Sequence, residues 1–298
     1  MDMLQITDLQ KRFGDKTVLD GLSLTVQEGS IFGFVGKNGA GKTTAMKLIL
    51  GLLKADAGQI TVAGEPVVYG NTPTNRHIGY LPDVPEFYGF MTAQEYLRFC
   101  GQISGLQRKQ LEDRCRELLT LVGLAGERHR IGGFSRGMKQ RLGIAQALLG
   151  SPRLLICDEP TSALDPLGRK EILDILLAVR KQTTVLFSTH ILSDVERICT
   201  DVAFLQNGRI QLRGKLADIK STYRTDAYTV ETEHPSDAQI LQQAFPSMLP
   251  VGRQLTFDAS VCDPARVLRL VADRNLPLLK FERVEPTLES LFMEVLEP

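Results

Sequence analysis

The chain has 298 residues with 35 basic and 35 acidic side chains, so its formal net charge is zero; the length allows one large core and a second, smaller one, and the charge balance lacks the basic footprint of a nucleic-acid binder. No apolar run reaches the roughly 18 residues of a membrane span, and the start Met1-Asp2-Met3-Leu4-Gln5 lacks a basic segment followed by an apolar one. The five cysteines are scattered without C-x-x-C spacing and read as reduced thiols, so a soluble, cytoplasmic chain is expected.

In chain order, Met3 to Leu9 and then Leu22, Leu24 and Val26, alternating with Ser23, Thr25 and Gln27, read as two strands. Phe13 falls between them; an aromatic there either stacks on a nucleotide base or belongs to the core. The apolar run Ile31 to Val35 leads into Gly36-Lys37-Asn38-Gly39-Ala40-Gly41-Lys42-Thr43-Thr44, which fits G-x-x-x-x-G-K-[ST], and Ala45 to Leu50 continues as a helix. Strand, glycine-rich turn and helix in that order build a phosphate site. Gly36, Gly39 and Gly41 let the chain turn tightly enough to aim backbone N–H groups at phosphate oxygens. Lys42 places a point charge on the β and γ phosphates, Thr43 offers a hydroxyl to Mg2+, and the helix N-terminus adds partial positive charge. Lys37, Asn38, Ala40 and Thr44 complete the binding loop.

Gln59 to Ala63 and Ile78 to Leu81 read as short strands separated by the turn-rich Gly64-Glu65-Pro66 and Gly70-Asn71-Thr72-Pro73. From Met91 to about Leu149 the pattern turns helical. Thr92-Ala93-Gln94-Glu95 is a capping box, and Leu111, Cys115, Leu118, Leu119 and Val122 mark one apolar face. This stretch is a helical insertion into a strand-rich core. Arg153 to Cys157 returns as a strand buried on both faces of a parallel sheet, and it ends in Asp158-Glu159, carboxylates placed beside the crevice where such sheets bind ligands. Glu171 to Lys181 reads as a helix and Thr183 to Thr189 as a second buried strand. Asn207-Gly208 marks a hairpin between Val202 to Leu205 and Arg209 to Leu212.

Beyond about residue 219, Ala227 to Thr232, Gln254 to Asp258 and Leu278 to Val284 read as strands. Asp237 to Ala244 and Pro264 to Ala272 read as helices, the second capped by Asp263 with Pro264 at its first position. A last helix, Leu288 to Leu296, carries an apolar stripe of Leu288, Leu291, Phe292 and Val295, docked on this domain or on a partner.

Further motifs accompany the phosphate loop in fixed order. Phe134-Ser135-Arg136-Gly137-Met138-Lys139-Gln140-Arg141 precedes the strand ending in Asp158-Glu159, and Ser162-Ala163-Leu164-Asp165 and Ser188-Thr189-His190 follow it. Over residues 1 to 218 the set resembles the ATP-binding cassette (ABC) family: Walker A, signature, Walker B, D-loop and H-loop. Phe134 to Arg141 and Ile78-Gly79-Tyr80-Leu81-Pro82 are similar to the ATPase subunits of bacterial exporters for drugs, antibiotics, sodium or polysaccharide. The resemblance implies an α/β fold, a P-loop NTPase core with a mixed sheet and helices, in a nucleotide-binding domain at 1–218 with a helical subdomain at about 83–152. A small α+β domain at 219–298 follows. It also implies an ATPase using ATP and Mg2+, dimeric as a homodimer or heterodimer of nucleotide-binding domains, working under a separate transmembrane permease on the inner face of the cell membrane, with no nucleic acid. A non-transport regulatory ATPase of the same family is the alternative.

The resemblance further assigns roles by position. Asp158 reaches the metal, Glu159 is the general base, and His190 is the switch histidine that contacts the γ-phosphate and holds Glu159; by local pattern alone His190 is also a structural residue after a strand. Asp165 matches the D-loop carboxylate and equally reads as a plain helix cap before Pro166. Ser135 and Gly137 match the signature positions that cap the nucleotide of the opposite subunit, so that each site is completed in trans. Arg136 and Met138 depart from the usual Ser-Gly-Gly-Gln. Asp83 stands where the family places a magnesium-sensing glutamine; it binds the ion through water or not at all. Asp83 to Tyr88 either docks on a membrane partner or is buried under the helical insertion.

Overall fold

The architecture is that of a computed structural model, which describes all residues except 71, 223–225, 285–286 and 292–298. It divides into two compact units, 1–216 and 217–297.

In the first unit, β1 (Asp2–Phe13) and β2 (Lys16–Gln27) run longer than their alternation suggests, because the turn between them takes only Gly14 and Asp15 and Phe13 pairs with Lys16. β3 (Ile31–Val35), buried at every position, hands the chain through the phosphate loop to α1 (Lys42–Ile49). β4 (Ala57–Val62) follows, and β5 (Glu65–Pro66) forms inside the stretch expected to be a turn. These build an antiparallel sheet of order β2-β1-β4-β5.

β6 (Ile78–Leu81) leaves that sheet and opens the helical segment of α2 (Ala93–Ile103), α3 (Arg108–Leu121) and α4 (Arg136–Ala147). The capping box forms as the spacing requires: Thr92 N donates to Glu95 Oε2 at 2.8 Å and Glu95 N to Thr92 Oγ1 at 3.3 Å. The face of Leu111, Cys115, Leu118, Leu119 and Val122 is buried. β7 (Leu154–Cys157), α5 (Pro166–Val179), β8 (Thr184–Thr189), α6 (Leu192–Ile198), β9 (Asp201–Gln206) and β10 (Arg209–Lys215) complete the unit. α5 starts five residues before the expected Glu171, since Asp165 caps it by accepting from Gly168 N at 2.9 Å and Pro166 supplies a preset φ. Asn207 and Gly208 both take positive φ, 50° and 75°, as a two-residue hairpin demands.

The second sheet has the order β10-β9-β3-β8-β7-β6, parallel throughout except for the β9–β10 hairpin. Three crossovers thereby bring the carboxyl ends of β3, β7 and β8 side by side, with Val35 paired to Thr189 and Cys157 to Phe187. The phosphate loop, Asp158-Glu159 and His190 leave the sheet at that one rim. Between the sheets lies a core that includes Leu4, Leu24, Phe34, Met46, Ile156 and Leu186, each at most 2% exposed.

α7 (Leu216–Thr222), for which the sequence shows no strong cap, leads into the second unit. There β11 (Ala227–Thr232), α8 (Pro235–Ala244), β12 (Leu249–Val251), β13 (Gln254–Asp258), α9 (Pro264–Asp273) and β14 (Leu278–Arg283) form an antiparallel sheet of order β12-β13-β11-β14 with two helices. Val230, Leu241, Leu255, Phe257 and Val267 make its core. Asp263 caps α9 through Ala265 N at 2.9 Å. Of the final apolar stripe, Leu288 and Leu291 are buried, while Phe292 and Val295 lie outside the described residues.

Candidate active site

The phosphate loop leaves β3 at Gly36, whose N–H donates to Thr189 O at 3.3 Å on neighbouring β8. A Cβ here would stand 2.7 Å from Leu205 O, so only glycine lets the loop lie this close to β9. Gly41 ends the loop at φ 110°, a conformation closed to other residues, and the first turn of α1 behind it carries no acidic residue and no capping side chain. Its N–H groups and helix dipole therefore form an anion site.

Lys42, the first residue of α1, is 5% exposed. Its ammonium donates to Gly36 O at 2.6 Å and Lys37 O at 3.3 Å, which curls the side chain back over the loop. Glu159 Oε1 lies 3.0 Å from the same Nζ. A buried cation needs an anion, and Glu159 supplies it from the strand next but one. The contact is one of charge rather than aligned hydrogen bonding, for Oε1 is a buried oxygen with no hydrogen-bond donor among the described residues.

Two further bonds fix the carboxylates. Ser188, fully buried on β8, donates from Oγ to Asp158 Oδ1 at 2.6 Å and accepts from Glu159 N at 2.9 Å. On the outer side His190 Nδ1 donates to Glu159 Oε2 at 2.9 Å. Glu159 adopts φ 48°, rare for a residue with a Cβ. Glu159 thus contacts Lys42 with one oxygen and His190 with the other.

They border a cavity of about 560 Å³ whose wall also includes Phe13, Asn38, Gly39, Gly41, Thr43, Thr44 and Asp83. The other expected loop residues, Gly36, Lys37 and Ala40, and the carboxylate of Asp158, are not part of its wall. Lys16, Val18 and Ser162 are on it without having been expected. Ser188 was visible only as a neighbour of His190 in the motif. Phe13 ends β1 with 49% of its surface exposed, so it is not a core residue; Lys11 Nζ lies 5.2 Å from its ring centroid. Burial pushes the Tyr80 hydroxyl up to about 12, with the nearby Asp158 charge adding to the rise.

Ser135 caps α4 by accepting from Met138 N at 3.2 Å. Gly137 beside it is open, with no heavy atom closer to an added Cβ than Leu164 Cδ2 at 3.9 Å. Neither residue lines the cavity. Two of the three departures from the usual family pattern face each other: Arg136 Nη2 lies 3.3 Å from Asp83 Oδ1. Buried Gln140 donates to Asp83 O at 2.6 Å, tying the segment after β6 to α4. Burial raises the Asp83 carboxyl above the ordinary aspartate value; Arg136 opposes this, and Asp158 and Glu159 add to it. The segment that follows is partly packed and partly exposed. Phe87 packs edge-on against Tyr96 of α2 at 5.0 Å, while Val84, Tyr88 and Phe90 are 61%, 52% and 64% exposed.

A parallel sheet that carries a glycine cradle, a buried lysine and a carboxylate pair to one rim defines a P-loop nucleoside triphosphatase. The ABC transporter family matches residues 19–162, and the family described as ATP-binding protein DrrA1-3-like, C-terminal domain, matches residues 214–296. YxlF, an ABC transporter ATP-binding protein of Bacillus subtilis (strain 168), is 38% identical over 299 residues, covering 98% of this chain and 99% of its own. BcrA, the bacitracin transport ATP-binding protein of Bacillus licheniformis, is 43% identical over 211 residues, covering 70% of this chain and 68% of its own. A solved ATP-binding subunit of an ABC transporter superposes with a TM-score of 0.66 at 34% identity, over 74% of this chain and 93% of that one. The chain belongs to the ABC transporter ATP-binding proteins, a family of ATP-hydrolysing transporter subunits.

Proposed function

We propose that the chain powers a membrane exporter by hydrolysing ATP with Mg2+, as one of two nucleotide-binding domains docked on a separate permease at the inner face of the cell membrane. No helix among the described residues is long and apolar enough to cross a membrane, so a translocation path needs a partner. Similarity to the bacitracin transport protein supports export. The exposed Val84, Tyr88 and Phe90 are the surface offered to the permease.

The observation that carries the reading is Glu159 held between Lys42 at 3.0 Å and His190 at 2.9 Å. A triphosphate fits this site: the cradle and the uncapped start of α1 supply N–H groups, and Lys42 is a buried cation matched to one carboxylate. The γ-phosphate, with more charge and more acceptors, takes the place of Glu159 at Lys42. Glu159 stays tied to His190, turns toward the attacking water and takes its proton as general base. His190 fixes that orientation and reaches the γ-phosphate. The exposed ring of Phe13 stacks on the base.

Thr43 and Asp158 are the hard oxygen donors that would hold Mg2+, with Asp83 reaching it through water. Among the described residues no cluster of three or more His, Cys, Asp or Glu is arranged to hold a metal, which fits an ion that takes most of its ligands from phosphates and water. When bound, Mg2+ neutralises charge across the β and γ phosphates. Ser135 and Gly137 of a second copy close the site, since in their own chain they stand off its wall.

Lys42→Ala and Glu159→Gln test the assignment. Lys42→Ala is expected to weaken ATP binding at least about tenfold through loss of a charge-assisted contact. Glu159→Gln keeps the shape and removes the competing anion, so it should bind ATP at least as tightly while turnover falls about a thousandfold. Equal turnover by Glu159→Gln and the parent chain refutes the base.

A further inference from the structure

The interior behind the site holds a third buried carboxylate, which the chemistry above does not use. Asp194, 2% exposed, lies in α6, four residues after His190. Its Oδ2 accepts from Thr161 Oγ1 at 2.7 Å, and its Oδ1 accepts from Arg169 Nη2 of α5 at 2.7 Å. Thr161 is fully buried and follows Glu159 by two residues. One side chain thus ties the segment leaving β7 to the segment leaving β8, just beyond the two residues whose spacing matters for hydrolysis.

The backbone supplies the reason such a tie is needed. Glu159 and Ala163 both hold positive φ, 48° and 53°, so the turn around Thr161 stores strain at two positions. Residues in such conformations persist only when their surroundings over-determine them. Ser188 holds Glu159 from its N–H side at 2.9 Å; the Thr161–Asp194 bond holds the turn on the other side. A buried carboxylate is costly unless fully paired, and here each oxygen has a donor from a different element. If the role of Asp194 were only to favour α6 by standing in its first turn, the Thr161 bond would be dispensable.

We propose that Asp194 is a positioning residue for ATP hydrolysis, its carboxylate bridging Thr161 and Arg169 to set Glu159 against His190. This rests on the roles proposed above for those two residues. Its mark is a loss in kcat without a loss in nucleotide binding, because the phosphate loop is not part of the bridge.

The test is steady-state ATP hydrolysis by the full chain with Mg2+, together with equilibrium ATP binding and thermal melting, for Thr161→Val, Thr161→Ser and Asp194→Asn, with Glu159→Gln as the reference. Thr161→Val is isosteric and leaves the Asp194 charge at α6; it and Asp194→Asn should lower kcat about tenfold to a hundredfold, the scale of a small misplacement of a catalytic group. KM for ATP and the binding affinity should stay within about threefold, and Thr161→Ser, which keeps the hydroxyl, should restore the rate to within about threefold. Parent-like kcat in both variants, a parallel fall in binding, or a Thr161→Ser as slow as Thr161→Val overturns the proposal. If Asp194→Asn does not fold, the Thr161→Val and Thr161→Ser pair decides. Undiminished hydrolysis by Glu159→Gln refutes the assignment of the base itself; a slow Glu159→Gln beside fast Thr161→Val and Asp194→Asn refutes the bridge alone.

Discussion

In the unit formed by residues 1–216 the buried charged side chains gather at one rim: Lys42 opens the helix after the phosphate loop, Asp158 and Glu159 follow β7 directly, and Asp194 comes five residues after β8, with buried Ser188 of β8 beside the carboxylate pair. In the unit formed by 217–297 the buried polar side chains are dispersed. Thr229 faces Thr256 across β11 and β13 at 3.4 Å, Thr232 donates to His234 O at 2.9 Å, and Asp237 sits in the first turn of α8 beside Ser236. These groups lie on separate elements and do not converge. The difference separates two uses of burial. A lone buried hydroxyl satisfied by its own neighbourhood costs little, whereas five converging polar groups, three of them acidic, cost more than apolar residues would and are poor stabilisers. Convergence of that kind marks chemistry.

The comparison breaks if both units respond alike to damage. Ile156→Ala on β7 and Leu255→Ala on β13 each empty a fully buried site and should cost about 2–5 kcal/mol in the unit affected. Ile156→Ala should weaken ATP binding along with stability, because Asp158 and Glu159 follow directly on β7. Leu255→Ala should lower a melting transition and leave ATP affinity, measured by titration, unchanged. Loss of ATP affinity in Leu255→Ala would make the second unit a working part of the site.

A smaller effect sharpens the same contrast through pH. Burial raises Tyr80 to about 12 in the folded chain against about 10 in an unfolded one, so it contributes stability that is complete below about pH 10 and is lost as pH rises through about 12. An ultraviolet titration should show a late tyrosine that disappears in Tyr80→Phe. A wild-type curve in which Tyr80 ionises with the exposed tyrosines would remove the buried, carboxylate-rich surroundings argued for this rim.

Much of the site was legible because its chemistry is carried by local pattern. The phosphate loop needs its glycines and lysine within a few residues of each other, and Asp158-Glu159 follows an apolar run that only a buried parallel strand explains. What stayed hidden depends on contacts between distant segments. Nothing in Lys42 or Glu159 announces that they pair, nor that Ser188 bridges Asp158 to the Glu159 backbone, since sheet order sets both. Phe13 remained open between core and ligand because the length of β1 was underestimated by the four residues that carry it to the cavity. α6 starts at an uncapped Ile191 and runs only from Leu192 to Ile198, and β12 is a three-residue strand with Pro250 at its centre; neither leaves a periodic signal. Arg136 and Asp83 each read as a departure from pattern. Only the 3.3 Å between them shows that the two changes meet.

In the proposed function one chain holds the chemistry and a second chain closes the site with Ser135 and Gly137. Light scattering on Glu159→Gln, with ATP and Mg2+ and at increasing protein concentration, tests it directly, since blocked hydrolysis preserves the closed pair. A two-fold dimer that appears only with ATP and is lost when Ser135→Arg is added is the predicted result, because an arginine at the signature blocks closure without touching the phosphate loop. A Glu159→Gln chain that stays monomeric at high concentration, or a dimer indifferent to Ser135→Arg, would contradict the shared site.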